Sequence, residues 1–158
     1  MKSLARFWLS LFGIGFVPIA PGTAGSLLAL PILFGLNFLF QKAYLPIQIV
    51  FWLILLVAIS WSGVWAIENF ASKENPDAQW IVLDEFAGML VACFPLFFFP
   101  KNWLLVGAAF LLFRLFDISK IWGIRKIDAL KTPASVFWDD LVAGLYAALG
   151  VLVLIYFV

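Results

Sequence analysis

A chain of 158 residues that is 65% hydrophobic and only 12% charged is too apolar for a soluble domain, which is nearer half apolar and a quarter charged. Its net charge of +1 gives no basic field for nucleic acid, and its length suits one domain spanning residues 1–158, with no room for a second. The chain has no histidine and one cysteine, so phosphohistidine chemistry, Ser-His-Asp triads, the commonest zinc sites and an intrachain disulfide are excluded. Catalysis is left to carboxylates, hydroxyls, lysine and arginine.

The expected fold is all-α: a polytopic membrane bundle of about five spans with an N-terminal interfacial or re-entrant helix. Met1–Phe12 carries Lys2 and Arg6, but no small-residue cleavage site follows, so it does not read as a cleavable signal peptide. Leu4–Pro18 is apolar, with Arg6 near its start, and is too short to span; it is the interfacial or re-entrant segment.

The first span is expected at Ala24–Phe40, opened by Pro21-Gly22-Thr23-Ala24-Gly25-Ser26. That opening reads as a Pro-Gly turn with Thr23 as helix cap, or as helix-end amides and hydroxyls holding an anion. It is not a Walker loop, having neither the spacing nor the lysine. Further spans are expected at Pro46–Ile67, Asp84–Phe99, Trp103–Phe116 and Asp139–Tyr156. The third and fourth are short, so they kink, thin the bilayer or continue as helix into the cytoplasmic region. Pro31 and Pro95 are expected to bend their spans. Cys93 lies mid-span as an inert apolar thiol, and Phe99 stands where a thiol phosphatase would need its arginine. The tryptophans read as interface belt and packing.

Lysine and arginine set the orientation. With the N-terminus inside, the inner side holds Lys2, Arg6, Lys73, Arg114, Lys120, Arg125, Lys126 and Lys131, against Lys42 and Lys101 outside. The same topology places every acid on the inner side: Glu68, Glu74, Asp77, Asp84, Glu85, Asp117, Asp128, Asp139 and Asp140. Acids contribute little to the positive-inside rule, so their confinement is a separate observation. The outer connections are too small to hold a site, which makes any chemistry cytoplasmic.

Carboxylates at a membrane edge are costly unless paired, hydrated or metal-bound. Asp77, Asp84, Glu85, Asp117, Asp139 and Asp140 sit at or just before expected helix ends, where acids also serve as caps for the positive end of the dipole. Capping explains one Asp easily. It explains an adjacent Asp84-Glu85 pair and a second Asp139-Asp140 pair less well, because like charges repel unless a cation intervenes. The two pairs open similar segments, Asp84-Glu85-Phe86-Ala87-Gly88 and Asp140-Leu141-Val142-Ala143-Gly144. Small residues one turn on, Gly88 with Ala92 and Gly144 with Ala148, would let the two helices approach and bring the acids together. A divalent metal acting on a phosphate at the membrane surface is the chemistry this suggests. In Arg114-Leu115-Phe116-Asp117-Ile118-Ser119-Lys120 the charged residues are helical neighbours. They form either an ordinary ion-pair ladder or a metal ligand, Asp117, flanked by Arg114 and Lys120 on phosphate oxygens.

Taken together, Pro21-Gly22-Thr23 with Gly25, Asp77 with Ile81-Val82 and Asp84-Glu85-Phe86-Ala87-Gly88-Met89, Arg114-Leu115-Phe116-Asp117 with Lys120, and Asp139-Asp140-Leu141-Val142-Ala143-Gly144 resemble the phosphatidylglycerophosphatase A family. The resemblance runs from about Gly22 to Gly144. It departs in two places: Ile121-Trp122-Gly123-Ile124 follows Lys120 where the family continues Lys-Pro-x-Pro-Ile, and 131–138 lacks a glycine-rich stretch. Every acidic position of the pattern is kept, so the departures bear on headgroup fit and turnover more than on metal binding.

The resemblance implies a Mg²⁺-dependent lipid phosphatase of the bacterial cytoplasmic (inner) membrane, hydrolysing phosphatidylglycerophosphate to phosphatidylglycerol among membrane lipids. On that reading Asp77, Asp84, Glu85, Asp117, Asp139 and Asp140 hold one or two Mg²⁺, with Asp84, Glu85 and Asp140 catalytic. Thr23, Arg114 and Lys120 bind the substrate phosphate, and an aspartyl-phosphate or a direct water attack both remain open. The rival functions are a cation or proton transporter relaying through the same acids, and a non-catalytic lipid-binding relative.

Overall fold

The computed structural model of the protein describes residues 1–40, 42–70, 78–98, 102–121 and 123–157. Among the described residues the elements are all helical. They are α1 (Lys2–Leu9), α2 (Pro21–Phe40), α3 (Leu45–Phe70), α4 (Leu83–Ala92), α5 (Trp103–Ser119), α6 (Ile124–Asp128) and α7 (Pro133–Phe157), with 3₁₀ turns at Ile14–Phe16 and Phe94–Phe97.

The N-terminal segment is shorter as a helix than Leu4–Pro18. α1 turns Ala5 and Leu9 inward and packs on α3. The chain then reverses through Leu11, Phe12 and Gly13, all at positive φ, with Gly13 at 101°. Ser10 holds this reversal: its hydroxyl donates to the Phe7 carbonyl (3.2 Å) and accepts from the Gly13 N–H (3.1 Å). The Leu9 carbonyl, left over at the end of α1, accepts from the Val82 N–H at 3.0 Å and so ties the N-terminus to the start of α4.

Among the described residues three helices are long and apolar enough to cross a membrane: α2 with 20 residues, α3 with 26 and α7 with 25. α5 has 17 residues and α4 only 10. α4 stops at Ala92 because Pro95, which lacks an N–H, opens the 3₁₀ turn of Phe94–Phe97. Pro31 behaves differently, since α2 runs through it without a break.

Two helix starts differ from the sequence expectation, and both matter for the site. α2 begins at Pro21, the first helical position that proline favours, so Thr23 lies inside the first turn and is not the cap. α7 begins at Pro133, capped by reciprocal bonds between Thr132 and Ser135: the Thr132 N–H donates to Ser135 Oγ (2.9 Å) and the Ser135 N–H to Thr132 Oγ1 (3.1 Å). Asp139 and Asp140 are therefore about two turns inside the helix rather than at its opening. Dipole capping, the ordinary explanation for acids at a helix start, does not apply to them.

α7 is the central element, packing on α3, α4, α5 and α6. Its crossing with α4 is set by two glycines. A Cβ on Gly144 would lie 2.2 Å from the Gly88 carbonyl oxygen, and one on Gly88 would lie 2.6 Å from both the Asp140 carbonyl oxygen and the Phe113 ring. The backbones touch, as the small residues at these positions lead one to expect. Above the crossing, Trp52 is fully buried among the edges of Phe97 (4.8 Å) and Phe94 (6.3 Å). An almost wholly apolar groove of about 550 Å³ runs between α3 and α7, floored by Val91 of α4.

Candidate active site

The Gly88–Gly144 contact draws the acids of two helices together. Asp84 and Glu85 occupy the first turn of α4, and Asp140 stands one turn before Gly144 on α7. One carboxylate oxygen from each of the three lies within 4.8 Å of the others. Asp84 is 5% exposed and Asp140 3%, with Glu85 half-buried. Asp84 Oδ1 and Glu85 Oε2 are buried without any hydrogen-bond partner. An unpartnered buried carboxylate oxygen is expensive, and three carboxylates at this spacing repel. A hard divalent cation that takes oxygen ligands answers both costs, so the donor set fits Mg²⁺.

The start of α2 closes this centre from above. Gly22 approaches so closely that a Cβ there would lie 2.2 Å from Glu85 Oε1 and 3.5 Å from Arg114 Nη1. Beside it opens a mainly polar cavity of about 640 Å³, with Glu85, Arg114, Gln79 and Gly22 among its walls. Arg114 reaches it from the last turns of α5. Its Nη1 is 2.7 Å from Asp117 Oδ2, an ion-pair contact outside hydrogen-bond direction, and neither Nη1 nor Nε has a hydrogen-bond partner. The guanidinium lines the cavity, and two of its nitrogens are buried with no hydrogen-bond partner.

Lys120 caps α5 in the left-handed conformation (φ 47°, ψ 42°), its N–H donating to the Phe116 carbonyl at 3.0 Å. Its side chain enters a ring of acids. It pairs with Asp139, lies 3.3 Å from Asp117 Oδ1, and is 3.9 Å from both Asp128 and Asp140. Burial pulls its pKa down, but Asp140, Asp139 and Asp117 outweigh it and hold the ammonium above its ordinary value. Lys131 reaches Asp128 at 3.3 Å from the exposed side.

The structure thus sorts the residues that sequence marked. It brings Asp84, Glu85 and Asp140 together, sets Arg114 against the cavity beside them, and holds Asp117 and Asp139 on basic side chains. Thr23 is half-buried in the first turn of α2 and is not among the cavity walls, although Pro21 and Gly22 are. Asp77 lies outside the described residues. The sequence reading of residues 21–26 as a candidate anion-holding helix end includes Gly22, but its close approach to Glu85 is seen only in the structure. It gives no role to Gln79, whose signal is an exposed amide between half-buried Ala78 and Trp80.

Apolar helices packed around a carboxylate centre, with an arginine-walled polar cavity beside it, define a helical membrane enzyme of the hydrolase class. The chain belongs to the phosphatidylglycerophosphatase A family, whose sequence profile matches residues 7–155, and it is a lipid phosphatase. It is 40% identical over 142 residues to a candidate phosphatidylinositol-3-phosphatase of Bacteroides thetaiotaomicron, covering 86% of this chain and 84% of that one. It is 37% identical over 140 residues to phosphatidylglycerophosphatase A of Escherichia coli, covering 87% of this chain and 75% of that protein. The Haemophilus influenzae phosphatidylglycerophosphatase A is 31% identical over 148 residues, with 92% and 85% covered. No solved structure matches the chain.

Proposed function

We propose that the protein is a Mg²⁺-dependent phosphatidylglycerophosphatase of the bacterial cytoplasmic (inner) membrane, crossing it about five times with its site on the cytoplasmic side. It would remove the terminal phosphomonoester of phosphatidylglycerophosphate, leaving phosphatidylglycerol and phosphate. The observation that carries the reading is the convergence of Asp84, Glu85 and Asp140 within 4.8 Å, with buried oxygens unpartnered, beside the Arg114 cavity. Those three carboxylates would hold the ion. When bound, Mg²⁺ supplies the Lewis acidity that phosphoryl transfer to water requires.

The chain's own groups do the rest. Arg114 lines the cavity and would turn its guanidinium to phosphate oxygens, with its pairing to Asp117 holding the side chain in place. Gln79 presents an amide to the same cavity. Gly22 leaves Glu85 covered on one side, which limits water at the acids to what enters through the cavity. A relay transporter is the weaker reading: the acids of α4, α5 and α7 collect at one end of the bundle, and the opposite halves of α2, α3, α5 and α7 carry no charged residue.

A second substrate is favoured by one observation: the relative at 40% identity is named as a phosphoinositide phosphatase. The two lipids share a phosphomonoester on a polyol headgroup. Phosphate release by the purified chain from phosphatidylglycerophosphate and from phosphatidylinositol 3-phosphate, in matched mixed micelles, separates them. The proposal expects the first to be hydrolysed at least about tenfold faster in kcat/KM. Faster release from the phosphoinositide would transfer the assignment to that lipid, and release from neither would end the phosphatase reading.

A further inference from the structure

Resting on the metal-assisted reading above, we propose that Lys120 is a built-in second cation: its ammonium occupies the carboxylate group Asp117–Asp128–Asp139, so the site takes one divalent ion and not two. The geometry divides the acids into two sets that share a border at Lys120. On one side Asp117, Asp128 and Asp139 each have a basic nitrogen within 4.0 Å, from Arg114, Lys120 or Lys131. On the other side Asp84, Glu85 and Asp140 meet, among the described residues, no basic group within that distance except Lys120, itself 3.9 Å from Asp140. Asp84 and Asp140 are almost wholly buried, and Asp84 Oδ1 has no hydrogen-bond partner at all. Among the described residues Asp84 and Glu85 have no basic partner, whereas Asp139, one of whose oxygens is also buried without a hydrogen bond, has Lys120 on the other.

The backbone of Lys120 points to the same division. A left-handed C-cap is ordinarily glycine, because a Cβ there is disfavoured. A lysine in that conformation, with its side chain turned back into four carboxylates, accepts a local cost that its ion pairs offset. A tethered ammonium also needs no free ion to fill the position, so it neutralises Asp139 at any metal concentration. Lys120 is accordingly a positioning residue: it holds Asp139, and through α7 its neighbour Asp140, without touching the phosphate.

The test is to count Mn²⁺ bound per chain, by electron paramagnetic resonance on the purified full-length protein in detergent. Wild type is expected to bind one ion. Lys120→Gly suits the left-handed backbone while removing the ammonium, and is expected to bind a second ion; Lys120→Arg is expected to stay at one. Asp139→Asn is expected to leave Mn²⁺ affinity within about threefold of wild type, whereas loss of a direct ligand costs more than about tenfold. Two ions on wild type, an unchanged single ion on Lys120→Gly, or a tenfold loss of affinity in Asp139→Asn would each overturn the proposal. No ion on wild type would instead remove the metal-assisted reading beneath it.

Discussion

Two sets of three carboxylates lie side by side in this bundle and differ in what surrounds them. Asp117, Asp128 and Asp139 each have a basic nitrogen within 4.0 Å, while Asp84, Glu85 and Asp140 bring one carboxylate oxygen apiece within 4.8 Å of one another, and Asp84 and Glu85 have no basic partner among the described residues. The first set reads as structure: Arg114–Asp117, Lys120–Asp117 and Lys131–Asp128 pair at i,i+3 spacing, and Lys120 reaches Asp139 across from the end of α5 to α7. The second is unstable as it stands. Acids marked by one sequence pattern thus divide into those a fold can satisfy and those it leaves for a ligand.

The crossing of α4 and α7 is the most direct place to break this arrangement. Gly144→Leu would drive a side chain into the Gly88 carbonyl, 2.2 Å from where its Cβ must sit. It is expected to cost upwards of ~3 kcal/mol of stability and to abolish phosphate release. Thermal melting and turnover check this together, and a variant that melts and turns over like wild type would contradict the close approach. Asp140→Asn keeps the shape and removes one charge from the unsatisfied set. Turnover is expected to fall by more than about a hundredfold, ~2.7 kcal/mol, with melting unchanged or improved because the repulsion is relieved. A loss of less than about tenfold would place Asp140 outside the chemistry.

Much of this was legible in the sequence, for identifiable reasons. The small residues Gly88, Ala92, Gly144 and Ala148 announce a tight helix pair, and the acids one turn before each glycine must follow them to the crossing. Arg114, Asp117 and Lys120 are neighbours by helical spacing alone. The start of α7 was not legible, since Lys131-Thr132-Pro133-Ala134-Ser135 reads as loop until the Thr132–Ser135 bonds are seen to cap a helix. Nor could spacing tell that Lys120 turns toward α7 and not toward the cavity. That depends on its left-handed backbone, which a lysine gives no reason to expect. The short α4 follows from Pro95, but sequence alone does not fix whether a proline ends a helix or, like Pro31, is carried within it.

The satisfied set yields smaller effects that sharpen the contrast. Because its folded pKa is raised, Lys120 contributes stability that is complete below the unfolded lysine value and is lost only as pH rises through the higher folded one. The gap in melting temperature between wild type and Lys120→Met is therefore expected to stay constant from about pH 6 to about pH 9. A gap that closed as pH rose within that window would show that the ammonium is not held by its acids. Lys131→Ala removes an exposed pair worth about 0–1 kcal/mol, so activity within about twofold of wild type is expected. A larger loss would give Asp128 and Lys131 a part that the geometry does not.

The most direct test of the three-carboxylate centre is phosphate release from phosphatidylglycerophosphate, measured before EDTA, in EDTA and after Mg²⁺ is restored, for wild type beside Asp84→Asn. Wild type is expected to fall to background in EDTA and to recover on Mg²⁺ addition, and Asp84→Asn to stay near background throughout. Undiminished release in EDTA, or an Asp84→Asn protein that recovers as wild type does, would contradict the account.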